Sequence, residues 1–279
     1  MKPLNAYICG CVRNCEQYLH RVFKNIKKIA ELFDSFRIVI AYDISEDNTL
    51  EVLKNWVNQF KRDQMVVLIN HEYVGNIRTK NIAGGRNAIL QYMRREDTPK
   101  FEYFIMMDMD DVCAGNMNLN ALQLFLDKER TEENAEWDAL TFNRPIYYDA
   151  WALSIRPYVF SCWNFTRGGL LVEVMRRYVQ DKLTEVAENA PKYGLLKCES
   201  AFNGFGIYRS AKFEGVLYEW NIHKNIEIIP REWITENETA VGRLVGLRET
   251  PDDCEHRYFH MRATQLNGAR ICISPLCLF

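Results

Sequence analysis

The stretch FIMMDMDDV, residues 104–112, joins a run of apolar residues directly to three aspartates. Its four leading apolar residues predict a strand that is buried on both faces of a parallel sheet. Asp108, Asp110 and Asp111 then follow the carboxyl end of this strand, which is where such sheets bind ligands. Like charges this close repel one another, so a cation or a proton is expected to balance them.

Alternating strands and helices precede this stretch and define the fold class. Apolar runs at 5–12, 36–42, 65–71 and 103–108 predict four strands. Amphipathic spacing predicts helices at 15–33 and 49–60, and 79–95 is interpreted as a third helix despite Gly84 and Gly85. The series predicts a Rossmann-like α/β fold with a mainly parallel central sheet flanked by helices.

The second half is less regular. Helices are expected at 117–128 and around 170–188, a strand near 137–143, a Gly-punctuated strand or loop at 200–209, and a helix within 251–268 before a last strand. No repeat or linker divides the chain. We therefore expect one domain over residues 1–279, with a regular half at 1–115 and a mixed half at 116–279.

Composition excludes several classes of protein. The net charge is −2 and the pI is near 6.3, so no basic field argues for nucleic acid. Nine irregularly spaced cysteines favour free thiols in a reducing compartment, and their spacing does not match a zinc site. The sequence contains neither a signal-peptide pattern nor a membrane-length apolar run. It predicts a cytoplasmic protein of a bacterium or a virus-infected cell, and one that is not secreted.

The acidic cluster has three possible interpretations. A solvated turn explains single acids better than three. An EF-hand loop fails, because counting from Asp108 puts Val112 and Cys113 where an oxygen ligand and a glycine are needed. A divalent cation shared with a substrate phosphate fits, since one or two carboxylates hold such a metal and phosphate oxygens complete its shell.

Several motifs resemble nucleotide-sugar glycosyltransferases of the GT-A fold. Asp108-x-Asp110 at a strand end matches their DXD pattern, VRN (12–14) resembles a nucleotide-contacting loop, and Asp43, Ser45, Asp47 and Thr49 match a D-x-S-x-D-x-T turn. RTKNIAGGRNAIL (78–90) is similar to a segment of fungal mannosyltransferases and capsule enzymes. CESAFNGFGIYRS (198–210) resembles a glycine loop in which Asn203 replaces a glycine, and DDCEHRYFH (252–260) resembles capsule-type and large-DNA-virus members.

The resemblance implies a metal-dependent hexosyl- or pentosyltransferase that moves a sugar from a UDP- or GDP-sugar to a glycan or another hydroxyl acceptor. The expected metal is Mn²⁺ or Mg²⁺, held by Asp108 and Asp110 with His256 as third ligand. Glu255 or Asp253 would be the catalytic base if the reaction inverts the anomeric carbon. The expected donor contacts are Arg13, Asp43, Ser45, Arg86, Asp108, Phe202 and Gly204, with the Arg86 guanidinium on the diphosphate.

Two other functions stay open at this level. A sugar-1-phosphate nucleotidyltransferase would share the sheet and the metal, but residues 10–14 hold one glycine where those enzymes carry a glycine-rich signature. An inactive binding module would use aromatic residues such as Trp151 and Trp220 to stack on sugars. The sequence does not decide between inversion and retention, nor does it assign Asp111.

Overall fold

The computed structural model describes residues 2–61, 64–69, 77–131, 136–160, 169–190, 192–242 and 251–279. Strands and helices alternate through the first half, as predicted. The strands are β1 (Asn5–Val12), β2 (Ser35–Tyr42), β3 (Met65–Ile69), β4 (Tyr103–Met107), β5 (Ala139–Asn143), β6 (Leu196–Cys198), β7 (Phe205–Arg209) and β8 (Ile271–Cys277). The helices are α1 (Glu16–Ala30), α2 (Thr49–Val57), α3 (Arg78–Arg94), α4 (Leu119–Thr131), α5 (Gly169–Asn189), α6 (Ile222–Ile228), α7 (Arg231–Val241) and α8 (Glu255–Asn267).

The strands of the described residues form one mixed sheet in the order β3-β2-β1-β4-β7-β5-β8-β6. β1 to β4 are parallel, β7 is inserted antiparallel between β4 and β5, and β6 is antiparallel to β8. The predicted α/β class with a mainly parallel sheet is confirmed. Because β7 runs the other way, its amino end meets the carboxyl ends of β1, β2, β4 and β5 at one edge of the sheet.

Each face of the sheet is covered by its own hydrophobic core, because side chains alternate between the two faces of a strand. In β4, Tyr103, Ile105 and Met107 belong to the core that includes α1 and α4, while Phe104 and Met106 belong to the core that includes α3 and α8. All five β4 residues are buried. The apolar run before Asp108 is therefore a central strand, as the sequence predicts.

Some boundaries differ from the predictions. β3 ends at Ile69, and the remainder of the predicted 65–71 strand lies outside the described residues. The predicted last helix begins only at Glu255, with Cys254 at its N-cap and no capping side chain. Asp253 is therefore not the cap of α8. None of the described helices is both long and apolar enough to cross a membrane.

Candidate active site

A cleft of about 440 Å³ opens at the carboxyl edge of the sheet. Its walls come from the turns after β1, β2 and β4 and from the first three turns of α3. Its lining residues are Cys11, Val12, Arg13, Asn14, Cys15, Asp43, Arg78, Asn81, Ile82, Arg86, Asp108, Met109 and Asp110. The predicted Arg13, Asp43, Arg86, Asp108 and Asp110 thus lie around one space.

Reciprocal hydrogen bonds hold the turns after β1 and β2 together. The backbone N–H of Asn14 donates to Ser45 Oγ (3.0 Å), and the Glu46 N–H donates to Asn14 Oδ1 (2.8 Å). Asp47 accepts from the N–H groups of Glu16 and Thr49, both at 3.0 Å. Ser45 and Asp47 therefore support the loop that presents Asp43, and Ser45 is not among the described residues that line the cleft.

The glycine loop before β7 packs directly under the DXD segment. The Asp108 N–H donates to the Gly204 carbonyl at 2.9 Å. A Cβ on Gly204 would lie 2.4 Å from Val112 Cγ1 and 3.5 Å from Asp108 Oδ2, and its φ is +87°. Only glycine fits this approach.

Asn203 keeps the shape of this loop, at the position where the motif that the sequence resembles has a glycine. Its φ is 55°, a left-handed conformation that asparagine tolerates better than most residues. Its Oδ1 accepts from the N–H groups of Tyr148 (2.9 Å) and Asp149 (3.1 Å), and its Nδ2 donates to the Phe142 carbonyl (2.9 Å). The side chain thereby fixes the segment after β5 beside the DXD.

The surroundings of the two DXD carboxylates disfavour their ionised forms. Burial raises the pKa of Asp108 to about 7, and the charges of Asp110 and Asp149 add to this while Arg86 opposes it. Burial also raises the pKa of Asp110, whose Oδ1 accepts from the Val112 N–H at 3.1 Å. Asp110, rather than the exposed Asp111, caps the turn that follows.

Arg86 on α3 connects the two halves of the chain. Its Nη2 lies 3.4 Å from Asp108 Oδ1, and its Nη1 contacts both Glu255 Oε1 and His256 Nε2 at the start of α8. Because a guanidinium only donates, His256 Nε2 accepts, so the proton of its neutral imidazole is assigned to Nδ1. Burial and Arg86 lower the pKa of His256 well below its usual value.

Aromatic rings enclose this arginine. The Arg86 guanidinium lies 4.7 Å from the centre of the Phe202 ring and 5.6 Å from that of Tyr218. Phe202 also stacks on His256, with 3.8 Å between ring centres. Burial would lower the pKa of Arg86, but Glu255 and Asp108 raise it, so the guanidinium stays charged.

Two residues that were predicted to act on the substrate, Asp253 and Phe202, contact other parts of the protein. Asp253 is fully buried, and its Oδ2 accepts from Arg257 Nε (2.9 Å) and Asn225 Nδ2 (2.7 Å). The structure thus joins Asp253 to a buried arginine, which leaves Glu255 as the candidate base. Phe202 is 2% exposed and supports Arg86 and His256 from below the cleft.

Sequence reasoning missed Asp149 and Arg78. Asp149 lies close enough to Asp108 to raise its pKa, and its Oδ1 accepts from the Ala152 N–H at 3.0 Å. It belongs to an irregular segment without a motif, so no sequence signal pointed to it. Arg78 begins α3 within the quoted RTKNIAGGRN segment, but only the later arginine was assigned.

Asp108 and Asp110 fit a hard divalent cation whose shell is completed by phosphate oxygens. Both line the cleft, and burial raises the pKa of both carboxyl groups, an effect that Arg86 and Arg78 oppose without cancelling it. In the described ranges, no three His, Cys, Asp or Glu side chains are grouped to hold a metal. His256 is engaged by Arg86 instead of the aspartates, and its predicted metal role stays a prediction.

A larger cavity of about 630 Å³ lies at the opposite edge of the sheet, between Asn5, Arg94 and Phe213. Its cationic side chains form hydrogen bonds within the protein. Arg94 donates to the carbonyls of Phe213 and Val216, at 2.7 and 2.8 Å. We therefore place the active site in the smaller cleft, where buried acids converge.

One family model matches the part of the chain that contains the residues lining this cleft. The family model described as Glycosyl transferase family 2 matches residues 7–134, which include β1 to β4 and the DXD. A search of curated proteins gave no match. The family match favours a glycosyltransferase over a nucleotidyltransferase.

Two solved structures of bacterial proteins show weak similarity to this chain. TarS 1-349 from S. aureus is 14% identical with a TM-score of 0.41, over 89% of this chain and 59% of that chain. Glucosyl-3-phosphoglycerate synthase from Mycobacterium tuberculosis, in complex with Mn²⁺, UDP and glucosyl-3-phosphoglycerate, is 12% identical with a TM-score of 0.41, over 77% and 59%. This chain thus spans less than two thirds of either. Residues 7–134, just under half of the chain, are thus similar to Glycosyl transferase family 2, and they lie within an α/β fold with a mainly parallel sheet.

Proposed function

We propose that this enzyme transfers a sugar from a UDP- or GDP-sugar to a hydroxyl of a glycan or a similar acceptor. The observation that supports this most strongly is that Asp43, Asp108 and Asp110 line one cleft at the carboxyl edge of the sheet. Ligands of open α/β sheets bind at this edge. The family match to residues 7–134 supports the same conclusion.

The donor lies across the strand ends in this proposal. Arg13 and Asp43, on the turns after β1 and β2, contact the nucleoside. Gly204 and the rigid Asn203 loop shape the sugar pocket below Asp108. Residues 1–115 thus hold the donor, and residues 116–279 supply the acceptor side.

Asp108 and Asp110 would hold Mn²⁺ or Mg²⁺ together with the donor phosphates. Such a metal, when bound, neutralises the diphosphate leaving group as the sugar departs. The two carboxylates keep their charge for this purpose, because a cation close to them favours the ionised form. The 2.9 Å hydrogen bond from the Asp108 N–H to Gly204 fixes the direction of this turn.

Glu255 acts as the base that removes the proton of the acceptor hydroxyl, if the reaction inverts the anomeric carbon. It occupies the first position of α8, where the helix dipole favours a carboxylate. Burial raises the pKa of Glu255, and Arg86 acts against this by favouring the ionised form that accepts a proton. Glu255 therefore depends on Arg86 for its protonation state and its position.

The proposal is tested by release of nucleoside diphosphate from a panel of UDP- and GDP-sugars with Mn²⁺ and glycan acceptors. We expect turnover by the wild-type enzyme and a loss of about 10²- to 10⁴-fold in kcat for Glu255→Gln. Glu214→Gln, a change of an exposed carboxylate, is the matched control and should be normal. Near-normal rates in Glu255→Gln would remove it from the role of base, and an inactive wild type across the panel would contradict the function.

A further inference from the structure

Arg78, the first residue of α3, is an exposed cation at the active-site cleft. It lines the same space as Asp108, Asp110 and Arg13. Within the part of the chain that the structure describes, no hydrogen bond or ion pair of its side chain is found. Its charge still reaches the acids of the cleft, since it lowers the pKa of Asp108, Asp110, Asp149 and Glu255 against the larger effect of burial.

Arg86, two turns further along α3, is already engaged by the protein. It is 5% exposed, and its guanidinium contacts Asp108, Glu255 and His256 between the rings of Phe202 and Tyr218. Turning it toward a substrate phosphate would leave Glu255 buried without its partner. Breaking a buried ion pair in this way is strongly unfavourable.

The start of α3 adds to the positive potential around Arg78. The N-cap residue Ile77 contributes no capping side chain, and the first turn contains no acid. The amino end of a helix carries partial positive charge and favours an anion near it. A diphosphate bound beside Asp108 and Asp110 would therefore have a guanidinium on the side facing α3.

We propose that Arg78, rather than Arg86, binds the diphosphate of the donor, and that Arg86 positions Asp108 and Glu255. The assignment rests on the proposed function and gives different roles to two arginines of one helix. Arg78 forms charge-assisted hydrogen bonds to phosphate oxygens. Arg86 holds two carboxylates from opposite halves of the chain and does not touch the substrate.

Isothermal titration of the whole chain with UDP and GDP, in the presence of Mn²⁺, tests this assignment. We expect Arg78→Ala to weaken binding of the preferred nucleoside diphosphate by about ten- to a hundredfold, the usual effect of losing a hydrogen bond to a charged group. Binding of the corresponding nucleoside, uridine or guanosine, should not change. Arg95→Ala, at the exposed far end of α3, is the matched control and should bind as the wild type.

Arg86→Lys should show the opposite pattern. Lysine keeps the charge but cannot bridge both carboxylates, so we expect kcat to fall at least tenfold while the Kd of the nucleoside diphosphate changes less than threefold. Equal binding by Arg78→Ala and wild type would overturn the role of Arg78 alone. A wild-type protein that binds neither UDP nor GDP would contradict the proposed function together with this assignment.

Discussion

At Asp108, burial raises the pKa of the carboxyl group while the charge of Arg86 lowers it. Parallel strands end at a common edge, so the sequence was sufficient to predict that Asp43, Asp108 and Asp110 would meet there. The contact of Arg86 with Glu255 joins residues 169 positions apart. No local pattern predicts such a pair, so the sequence alone could not place Arg86 beside Glu255 and His256.

The pKa of Asp108 predicts how stability changes with pH when no metal is present. Its carboxyl ionises near pH 4 in the unfolded chain and at about 7 in the folded protein. Between these values the folded state binds more protons, so the free energy of unfolding falls as the pH rises from about 4 to about 7. Because asparagine does not ionise, Asp108→Asn removes this loss of stability.

We therefore expect Asp108→Asn to unfold at a higher temperature than the wild type at pH 8 in EDTA. The difference should correspond to about 1–4 kcal/mol and shrink at pH 5, as the wild-type carboxyl becomes protonated. Thermal unfolding at the two pH values measures it. Asp111→Asn controls for removing an exposed charge from the same turn, and a difference that grows toward low pH would refute the assignment.

At the scale of elements, the glycine loop of residues 203–204 connects the DXD segment to the second half of the chain. The sequence predicted a strand or loop here and left its shape open, because Asn203 replaces a glycine of the motif that this segment resembles. The φ of 55° and three side-chain hydrogen bonds show how asparagine serves in its place. Its side chain also fixes the backbone of Asp149, a residue that no sequence motif predicted.

Substitutions of Asn203 separate backbone strain from lost hydrogen bonds. Asn203→Gly keeps the left-handed backbone but loses the bonds to residues 142, 148 and 149, at a cost of about 1–3 kcal/mol. Asn203→Ala should be less stable by about 1 kcal/mol more, because alanine resists this conformation. Urea unfolding gives both values.

Gly268→Ala provides the matched control, since Gly268 has a φ of +62° and open space around its Cα. It should show the strain alone and keep normal donor turnover. An Asn203→Gly protein as stable as the wild type would mean that the three hydrogen bonds contribute nothing to the loop.

At the scale of the whole molecule, the two halves differ in how well the sequence describes them. The βα alternation up to β4 follows from regular apolar spacing, and the predicted elements agree with the structure. The second half contains the short β6 and β7, and β7 is inserted antiparallel between strands more than 30 residues apart in sequence. Short strands paired over long distances leave little local signal, so β7 was predicted only as a strand or loop within 200–209 and β6 was not predicted. The helices α6 and α7 were not predicted either.

We propose above all that the cleft binds a nucleoside diphosphate through a metal held by Asp108 and Asp110. Thermal unfolding of the wild type and Asp110→Ala, with UDP or GDP and with Mn²⁺ or EDTA, tests it most directly, since a ligand of the native state raises the apparent stability. We predict that one nucleotide raises the Tm of the wild type only with Mn²⁺, and that Asp110→Ala folds but shows no rise. An equal rise in EDTA, or in Asp110→Ala, would contradict the account.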